Sequence, residues 1–174
     1  MGRNFFIGDM HLGDDTIRKL ECRPFRSTIE QTDTMVNNWN NIIQPDDTVF
    51  IVGDFVHIGC DDYHIEKAKQ LSGRKILIRG NHDTESEDFY KEKCGIDIVY
   101  DYPIVFNDFF IVSHEPKYIN ENFPYANFFA HVHNNPIYNT YSCRHYCVSV
   151  ERIGYKPILF EDMWDIMKSA DAIR

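Results

Sequence analysis

Five short segments of the sequence bring carboxylate, imidazole and amide side chains close together. They read GDMH at 8–11, VGDF at 52–55, RGNHD at 79–83, VSHEP at 112–116 and AHVH at 130–133. Mixed nitrogen and oxygen donors without a thiolate suit borderline metal ions such as manganese, iron and zinc. Each segment alone is explained equally well by turn chemistry or by a hydrogen-bonded core histidine. Their joint occurrence predicts a metal centre.

The candidate ligands are too numerous for one ion. There are seven of them: Asp9, His11, Asp54, Asn81, His114, His131 and His133. A tetrahedral site needs four ligands, whereas two ions ~3.5–4 Å apart that share a bridging carboxylate need more. We therefore expect two divalent metal ions. The donor types fit manganese, iron and zinc alike, and we favour manganese.

Each segment comes at the end of a predicted β-strand. The hydrophobic pattern predicts strands at 3–8, 48–52, 75–79, 96–105, 109–113, 128–132, 146–150 and 157–160, and helices at 29–43, 61–71, 86–94 and 161–173. Ligands of α/β proteins gather beyond the carboxyl ends of strands, so we expect the segments to meet in one region. Residues two apart in an extended chain point to the same side. Asp9 and His11, and likewise His131 and His133, are therefore expected to project together from extended backbone.

The order of these elements predicts the fold class. Strands and helices alternate at first, and the sequence beyond residue 95 is rich in strands. This order is typical of a mixed α/β fold in which two sheets pack face to face with helices outside. No repeat or low-complexity linker divides the chain, so we expect one domain over residues 1–174.

The net charge of −9 restricts the possible partners. A protein that binds nucleic acid generally needs a basic surface, so that role is disfavoured, whereas a small phosphorylated substrate at a metal ion is not. No apolar run approaches the ~20 residues of a membrane span, and the amino-terminal sequence lacks a secretory leader. We therefore expect a cytoplasmic protein without membrane contact. The composition carries no signal for an oligomeric state.

The five cysteines form no C-x-x-C motif. We interpret them as reduced thiols in a reducing compartment. The alternative is a small zinc site made of Cys143, His145 and Cys147, although alternation along one strand explains their spacing equally well.

The five motifs, in this order, resemble those of the calcineurin-like metallophosphoesterase family, which read D-x-H, G-D, G-N-H-D, H and G-H-x-H. They extend over residues 9–133, and the RPF at 23–25 is similar to that of small bacterial and phage members. The resemblance implies a four-layer αββα sandwich of two mixed sheets flanked by helices. It also implies metal-dependent hydrolysis of phosphate esters, by a phosphodiesterase or phosphatase acting on a small phosphorylated molecule or nucleotide. The alternatives are a nuclease and a non-catalytic metal-binding scaffold on the same fold.

The resemblance further implies a role for each site residue. One ion would be bound by Asp9, His11 and His133, and the other by Asn81, His114 and His131. Asp54 would bridge the two ions. His82 would stay off the metals and act on the substrate, either as proton donor to the leaving oxygen or as a cationic stabiliser. Asp83 is expected to orient the turn that carries Asn81 and His82.

Three departures from the family pattern bear on the substrate. Ala130 replaces the glycine of G-H-x-H, and Asp14 stands where small members often have histidine. His57 and Ile58 replace the Asp-Arg of the protein phosphatases, which disfavours a phosphoprotein substrate.

Other charged residues and histidines carry weaker signals. Arg23, Arg26 and Lys117 are candidates for phosphate contact, but the preferred interpretation is a solvated surface position. Three histidines outside the motifs are interpreted as structural or exposed: His57, His64 and His145.

Overall fold

The structure is a computed structural model that describes residues 2–120, 122–140 and 142–172. The helices and strands, in chain order, are β1 (Asn4–Ile7), α1 (Asp15–Leu20), α2 (Thr28–Asn40), β2 (Thr48–Ile51), α3 (Asp62–Lys69), β3 (Arg74–Ile78), β4 (Ile98–Tyr100), β5 (Ile104–Phe106), β6 (Phe110–Ser113), β7 (Ala126–Phe129), β8 (His145–Cys147), β9 (Ile158–Leu159) and α4 (Phe160–Ala172). A π-helical turn spans Phe89–Lys93, and a 3-10 helix spans Pro136–Thr140.

The strands form two mixed sheets. The first has the order β4-β3-β2-β1-β9, in which only β9 is antiparallel to its neighbour. The second has the order β5-β6-β7-β8, in which only β5 is antiparallel. The expected α/β class, with two mixed sheets between helical segments, is confirmed.

The two faces of the first sheet enter different cores, as strand alternation requires. Phe5 and Ile7 of β1 pack with Trp39 of α2 on one face. Phe6, on the other face, packs with Phe128 of the second sheet, and the two rings meet edge to face at 5.1 Å. The sheets therefore share one buried layer, which fixes the relative position of their carboxyl ends.

Local capping explains where two helices begin. The Ser27 side chain accepts a hydrogen bond from Glu30 N, which starts α2 at the following residue. Asp14 accepts from the backbone N–H groups of Thr16 and Ile17 and so starts α1. This short helix was not predicted, because six residues without a buried side chain leave no hydrophobic period to detect.

The strand predicted at 96–105 is wrong as a single element. Its first half, β4, pairs with β3 in the first sheet, and its second half, β5, pairs with β6 in the second. Pro103 lies between the halves; proline has no N–H to donate and interrupts a strand ladder. The short helix predicted at 86–94 is present at residues 87–93, mostly as the π-helical turn, whereas the strand predicted at 128–132 ends at Phe129. The last residue of the helix predicted at 161–173 lies outside the described residues.

Among the residues that the structure describes, no helix is both long enough and apolar enough to cross a bilayer.

Candidate metal centre

All five motifs lie just beyond the carboxyl ends of strands. Asp9 follows β1, Asp54 follows β2 and Asn81 follows β3, whereas His114 follows β6 and His131 follows β7. These strands run parallel within their sheets, so their ends reach the same edge of the sandwich. The structure thus brings the seven candidate ligands together from both sheets.

The backbone at these positions is left-handed rather than extended, so the expected extended D-x-H and H-x-H geometry is wrong. The φ angles are +55° at Asp9, +46° at His11, +54° at Asp54, +70° at His131 and +47° at His133. These side chains therefore converge because the chain turns tightly at each ligand, and not because they share one face of a strand. Non-glycine residues in this conformation cost free energy and occur mainly where surrounding contacts enforce them, often at functional sites.

Two groups of ligand atoms result, which we call the inner and outer groups. The inner group is Asp9, His11 and His133, whose ligand atoms all lie within 4.8 Å of one another. The outer group is Asn81, His114 and His131, with Asn81 Oδ1 3.1 Å from His114 Nε2 and 3.0 Å from His131 Nδ1.

Asp54 lies between the two groups. Its Oδ2 is 3.4 Å from His11 Nε2 and 3.3 Å from His114 Nε2. Its Oδ1 accepts a hydrogen bond from the backbone N–H of His82 at 2.9 Å, which fixes the orientation of the carboxylate. One carboxylate oxygen therefore faces a histidine of each group.

The proximity of these charges shifts their pKa values. Burial alone lowers the pKa of His11 and of His114, but the carboxylates close to both rings outweigh burial and raise both pKa values to about 9. Burial alone raises the pKa of Asp54, but the same two histidines hold that pKa well below its usual range. A cation bound here would replace the imidazole protons, because ligating histidines must be neutral.

The donor geometry fits metal ions. Asp9 Oδ2 and His11 Nε2 are buried and have no hydrogen-bond partner, which a folded protein avoids unless another ligand is bound. In the outer group, His114 Nε2 and His131 Nδ1 lie 3.2 Å apart. Two atoms bound to one ion at ~2.1 Å lie roughly 3.0–3.4 Å apart in compact coordination, so this spacing fits two ligands of one ion.

Asp83 ties two of the motif loops together, as expected of a residue that orients the turn. Its buried carboxylate accepts hydrogen bonds from the backbone N–H groups of Asp54, Phe55 and Gly80 at 2.7–3.0 Å. Gly80 is required here, because a Cβ at that position would collide with Asp54 Oδ1. The motif after β3 is therefore held against the motif after β2.

His82 belongs to neither group but lies beside the inner one. Its side chain is exposed, and its ring meets the ring of His11 edge to face at a centroid distance of 5.1 Å. A solvent-facing imidazole beside the ligands can reach a bound substrate.

Sequence reasoning missed the residues that hold the inner group. Asp14 Oδ2 lies 3.5 Å from His11 Nδ1, and Glu151 Oε1 lies 3.0 Å from His133 Nδ1. Gln31 Nε2 donates to the backbone carbonyl of His11 at 3.0 Å. Only Asp14 had a signal, as a departure from the family pattern next to a ligand motif. Nothing local in the sequence connects Glu151 to His133.

The interpretation of Arg23 as a solvated or phosphate-binding residue is wrong. Its side chain is fully buried, and its guanidinium contacts Glu151 at 2.6 Å. Arg26 is exposed, as preferred from the sequence, and Lys117 is half-buried.

The remaining histidines match the structural or exposed interpretation. The side chain of His57 is 42% exposed, 3.3 Å from Asp14 Oδ2, and His64 is buried against Thr32 Oγ1 at 2.8 Å. The ring nitrogens of His145 contact Ser142 Oγ and the carbonyl of Lys117. No ligand group among the described residues includes the proposed zinc trio at 143, 145 and 147.

Comparison with known proteins agrees with the motifs. The chain is 26% identical over its whole length to an uncharacterized protein, MJ1445, of Methanocaldococcus jannaschii, covering 96% of that protein. It is 36% identical, over 48% of its length, to 41% of the Gene 66 protein of Mycobacterium phage L5. A solved structure of a protein of unknown function, AQ665 from Aquifex aeolicus, matches 95% of this chain and all of that chain, with a TM-score of 0.72 and 26% identity.

The family profile of the calcineurin-like phosphoesterases matches residues 3–167. Members of this family are metal-dependent phosphoesterases that use divalent ions. The match covers nearly all of the chain and includes every motif, so this protein belongs to the calcineurin-like phosphoesterase family.

Proposed function

We propose that this protein hydrolyses phosphate esters of a small molecule or nucleotide at a centre of two divalent metal ions, with manganese favoured. The observation that carries the proposal is the pair of ligand groups on either side of one Asp54 oxygen. A shared carboxylate between two donor sets is the arrangement expected of two-metal hydrolytic sites.

The inner group, Asp9, His11 and His133, would hold one ion, and the outer group, Asn81, His114 and His131, the other. Asp54 would bridge them. When bound, the ions would lower the pKa of water and neutralise the phosphoryl oxygens. The contribution of the chain would then be mostly positioning, because hydrogen bonds from backbone N–H groups to the carboxylates of Asp83 and Asp9 hold the ligand loops in place.

His82 would act on the leaving group. Its ring is solvent-facing and is not needed as a ligand, whereas its backbone N–H is fixed by Asp54. An imidazolium there could donate a proton to the leaving oxygen or stabilise its developing negative charge.

A groove beside the centre suits a small ester group. It has a volume of about 570 Å³ and includes His131 and His133 in its wall. The other residues that line it are Leu20, Glu21, Cys22, Val132, Asn134, Asn135 and Tyr138. No lysine or arginine among the described residues lines it, so the groove offers no track for a polyphosphate chain.

The same charge argument disfavours a nuclease. A nuclease needs cationic side chains along the substrate backbone, whereas this chain has a net charge of −9. A non-catalytic scaffold is disfavoured because all seven ligand positions and His82 are retained.

A cytoplasmic location is part of the proposal. It is supported by the free thiols Cys22, Cys60, Cys94 and Cys147, which are typical of a reducing compartment.

The test combines elemental analysis of the purified protein with hydrolysis of bis-p-nitrophenyl phosphate and p-nitrophenyl phosphate in added manganese. We expect two ions per chain and manganese-dependent turnover. Diester cleavage would identify a phosphodiesterase, and monoester cleavage alone a phosphatase. A protein that binds no metal and cleaves neither ester would overturn the proposal in favour of a scaffold.

A further inference from the structure

A buried ion pair lies behind the inner group. Arg23 and Glu151 are separated by 128 residues in the sequence, yet Arg23 Nε donates to Glu151 Oε1 at 2.8 Å. The side chain of Arg23 is 0% exposed and that of Glu151 is 3% exposed. Removing two charges from water costs more than packing apolar side chains of the same volume, so stability alone is a poor explanation for this pair.

Both partners touch candidate ligands. Arg23 donates to the backbone carbonyl of Asp9 at 2.7 Å and to that of Met10 at 2.9 Å. Glu151 Oε1 lies 3.0 Å from His133 Nδ1. A carboxylate oxygen can only accept this hydrogen bond, so Nδ1 carries the proton and the lone pair is on Nε2. The pair therefore contacts two of the three inner ligands, Asp9 through its backbone carbonyl and His133 through Nδ1.

We propose that Arg23 and Glu151 are positioning residues for the inner metal ion, an inference that rests on the metal centre of the proposed function. Glu151 sets the tautomer and orientation of His133. Arg23 holds Asp9 in its left-handed conformation and holds Glu151 in place. Partners of this kind, one step removed from the ion, raise metal affinity because the ligands need not be reorganised on binding.

Glu21, His133 and Glu151 also come within ligand distance of one another. A third cation site there is a poor alternative, because the guanidinium of Arg23 already lies 2.6 Å from the carboxylate of Glu151. Two like charges at one carboxylate repel each other.

The outer group lacks such a pair. His114 Nδ1 contacts the backbone carbonyl of Val52 at 2.9 Å and lies 3.9 Å from Asp9 Oδ1, and among the described residues no carboxylate forms an ion pair with the second ring nitrogen of His131. A change at Glu151 is therefore expected to lower the affinity for one ion only. This selectivity distinguishes it from a general loss of metal binding.

The test is a manganese titration of metal-free protein by calorimetry, with the melting temperature of the metal-free protein measured in parallel. Glu151→Gln keeps the shape of the side chain and removes its charge. Glu151→Asp keeps the negative charge but withdraws the carboxylate from His133 and from Arg23, because Glu151 Oε1 makes both contacts. We expect each variant to weaken the tighter of the two binding steps ~10–100-fold, the range for such partners, and to leave the other step nearly unchanged.

Asp47→Asn is the matched control. It also removes a buried carboxylate paired with an arginine, Arg3, but at the opposite end of β2. It should change stability and leave both binding steps as in the wild type. If Glu151→Asp bound both ions like the wild type, the proposed positioning role would be wrong, but the proposed metal centre would still be supported. If the wild type bound neither manganese nor iron nor zinc, the proposed function would fail, and this inference with it.

Discussion

The inner and outer ligand groups differ in what lies behind them. Asp9 and His11 of the inner group are 0% and 2% exposed, and two of the inner ligands are backed by carboxylates, Asp14 and Glu151. In the outer group, Asn81 and His131 are exposed, and His114 is backed by a backbone carbonyl.

One metal centre can thus combine a rigidly held group of ligands with a more exposed and adaptable group. A carboxylate behind an imidazole increases its basicity and fixes its orientation, and burial strengthens every charge interaction. An ion held by the inner group would therefore be expected to bind first and more tightly. An ion held by the outer group, which is closer to solvent, would be better placed to meet substrate.

The largest effect is expected when the residue common to both groups is changed. Asp54→Asn should weaken both ions and lower turnover by roughly 10³-fold or more, because metal stabilisation of the transition state contributes several kcal/mol and each 1.36 kcal/mol is tenfold. Manganese titration and turnover of a p-nitrophenyl ester measure this. Retention of two tightly bound ions would show that Asp54 does not link the groups.

A change at His82 should leave both groups intact. His82→Ala is expected to bind two ions like the wild type and to lose ~10²–10⁴-fold in turnover of an ester with a poor leaving group. The loss should be much smaller for a p-nitrophenyl ester in either role, because p-nitrophenolate leaves readily without a proton or a countercharge on its oxygen. Wild-type turnover of the poor leaving group would exclude either role.

Substitution of one histidine from each group tests whether the inner group binds metal more tightly than the outer group. His133→Ala should abolish the tighter manganese step, and His131→Ala the weaker one. The loss in each case should exceed the ~10–100-fold expected when only an outer partner is removed. His131→Ala should therefore recover part of its turnover in excess manganese. Loss of the weaker step in His133→Ala and of the tighter step in His131→Ala would show that the inner group is not the tighter site.

The smallest effect on the metal centre is expected from a change at Asp47, which lies at the end of the first sheet away from the candidate ligands. Asp47 accepts hydrogen bonds from Arg3, and the hydrogen bond with the guanidinium lowers the pKa of Asp47 to about 2. A depressed carboxyl pKa stabilises the fold above its unfolded value near 4, and this stability is lost as the pH falls toward 2.

Asp47→Asn should therefore melt at a lower temperature at neutral pH, and its melting temperature should fall less than that of the wild type between pH 4 and pH 2. Thermal unfolding followed across this range measures the difference. Equal pH dependence of the two proteins would show that Asp47 is not linked to folding.

The sequence predicted which candidate residues lie together better than it predicted their backbone geometry. A motif after each strand was enough to find Asp9 and Asp54, because parallel strands bring their carboxyl ends together whatever the turn. The left-handed turns were not predictable from a D-x-H pattern, since the φ angle of an aspartate depends on contacts with distant loops. The loop after β7 provides one of them, where His131 N donates to Asp9 Oδ1 at 3.0 Å.

The fold was predictable where hydrophobic runs were long and capped, as in α2. It was not predictable at 96–105, where one apolar run supplies strands to both sheets. The ion pair of Arg23 with Glu151 was out of reach, because partners 128 residues apart leave no periodic signal.

The most direct test of a two-metal centre is an anomalous difference map from crystals grown with manganese. We expect two peaks ~3.5–4 Å apart, one among Asp9, His11 and His133, the other among Asn81, His114 and His131, with Asp54 between them. A single peak, or a peak outside these ligands, would contradict the account.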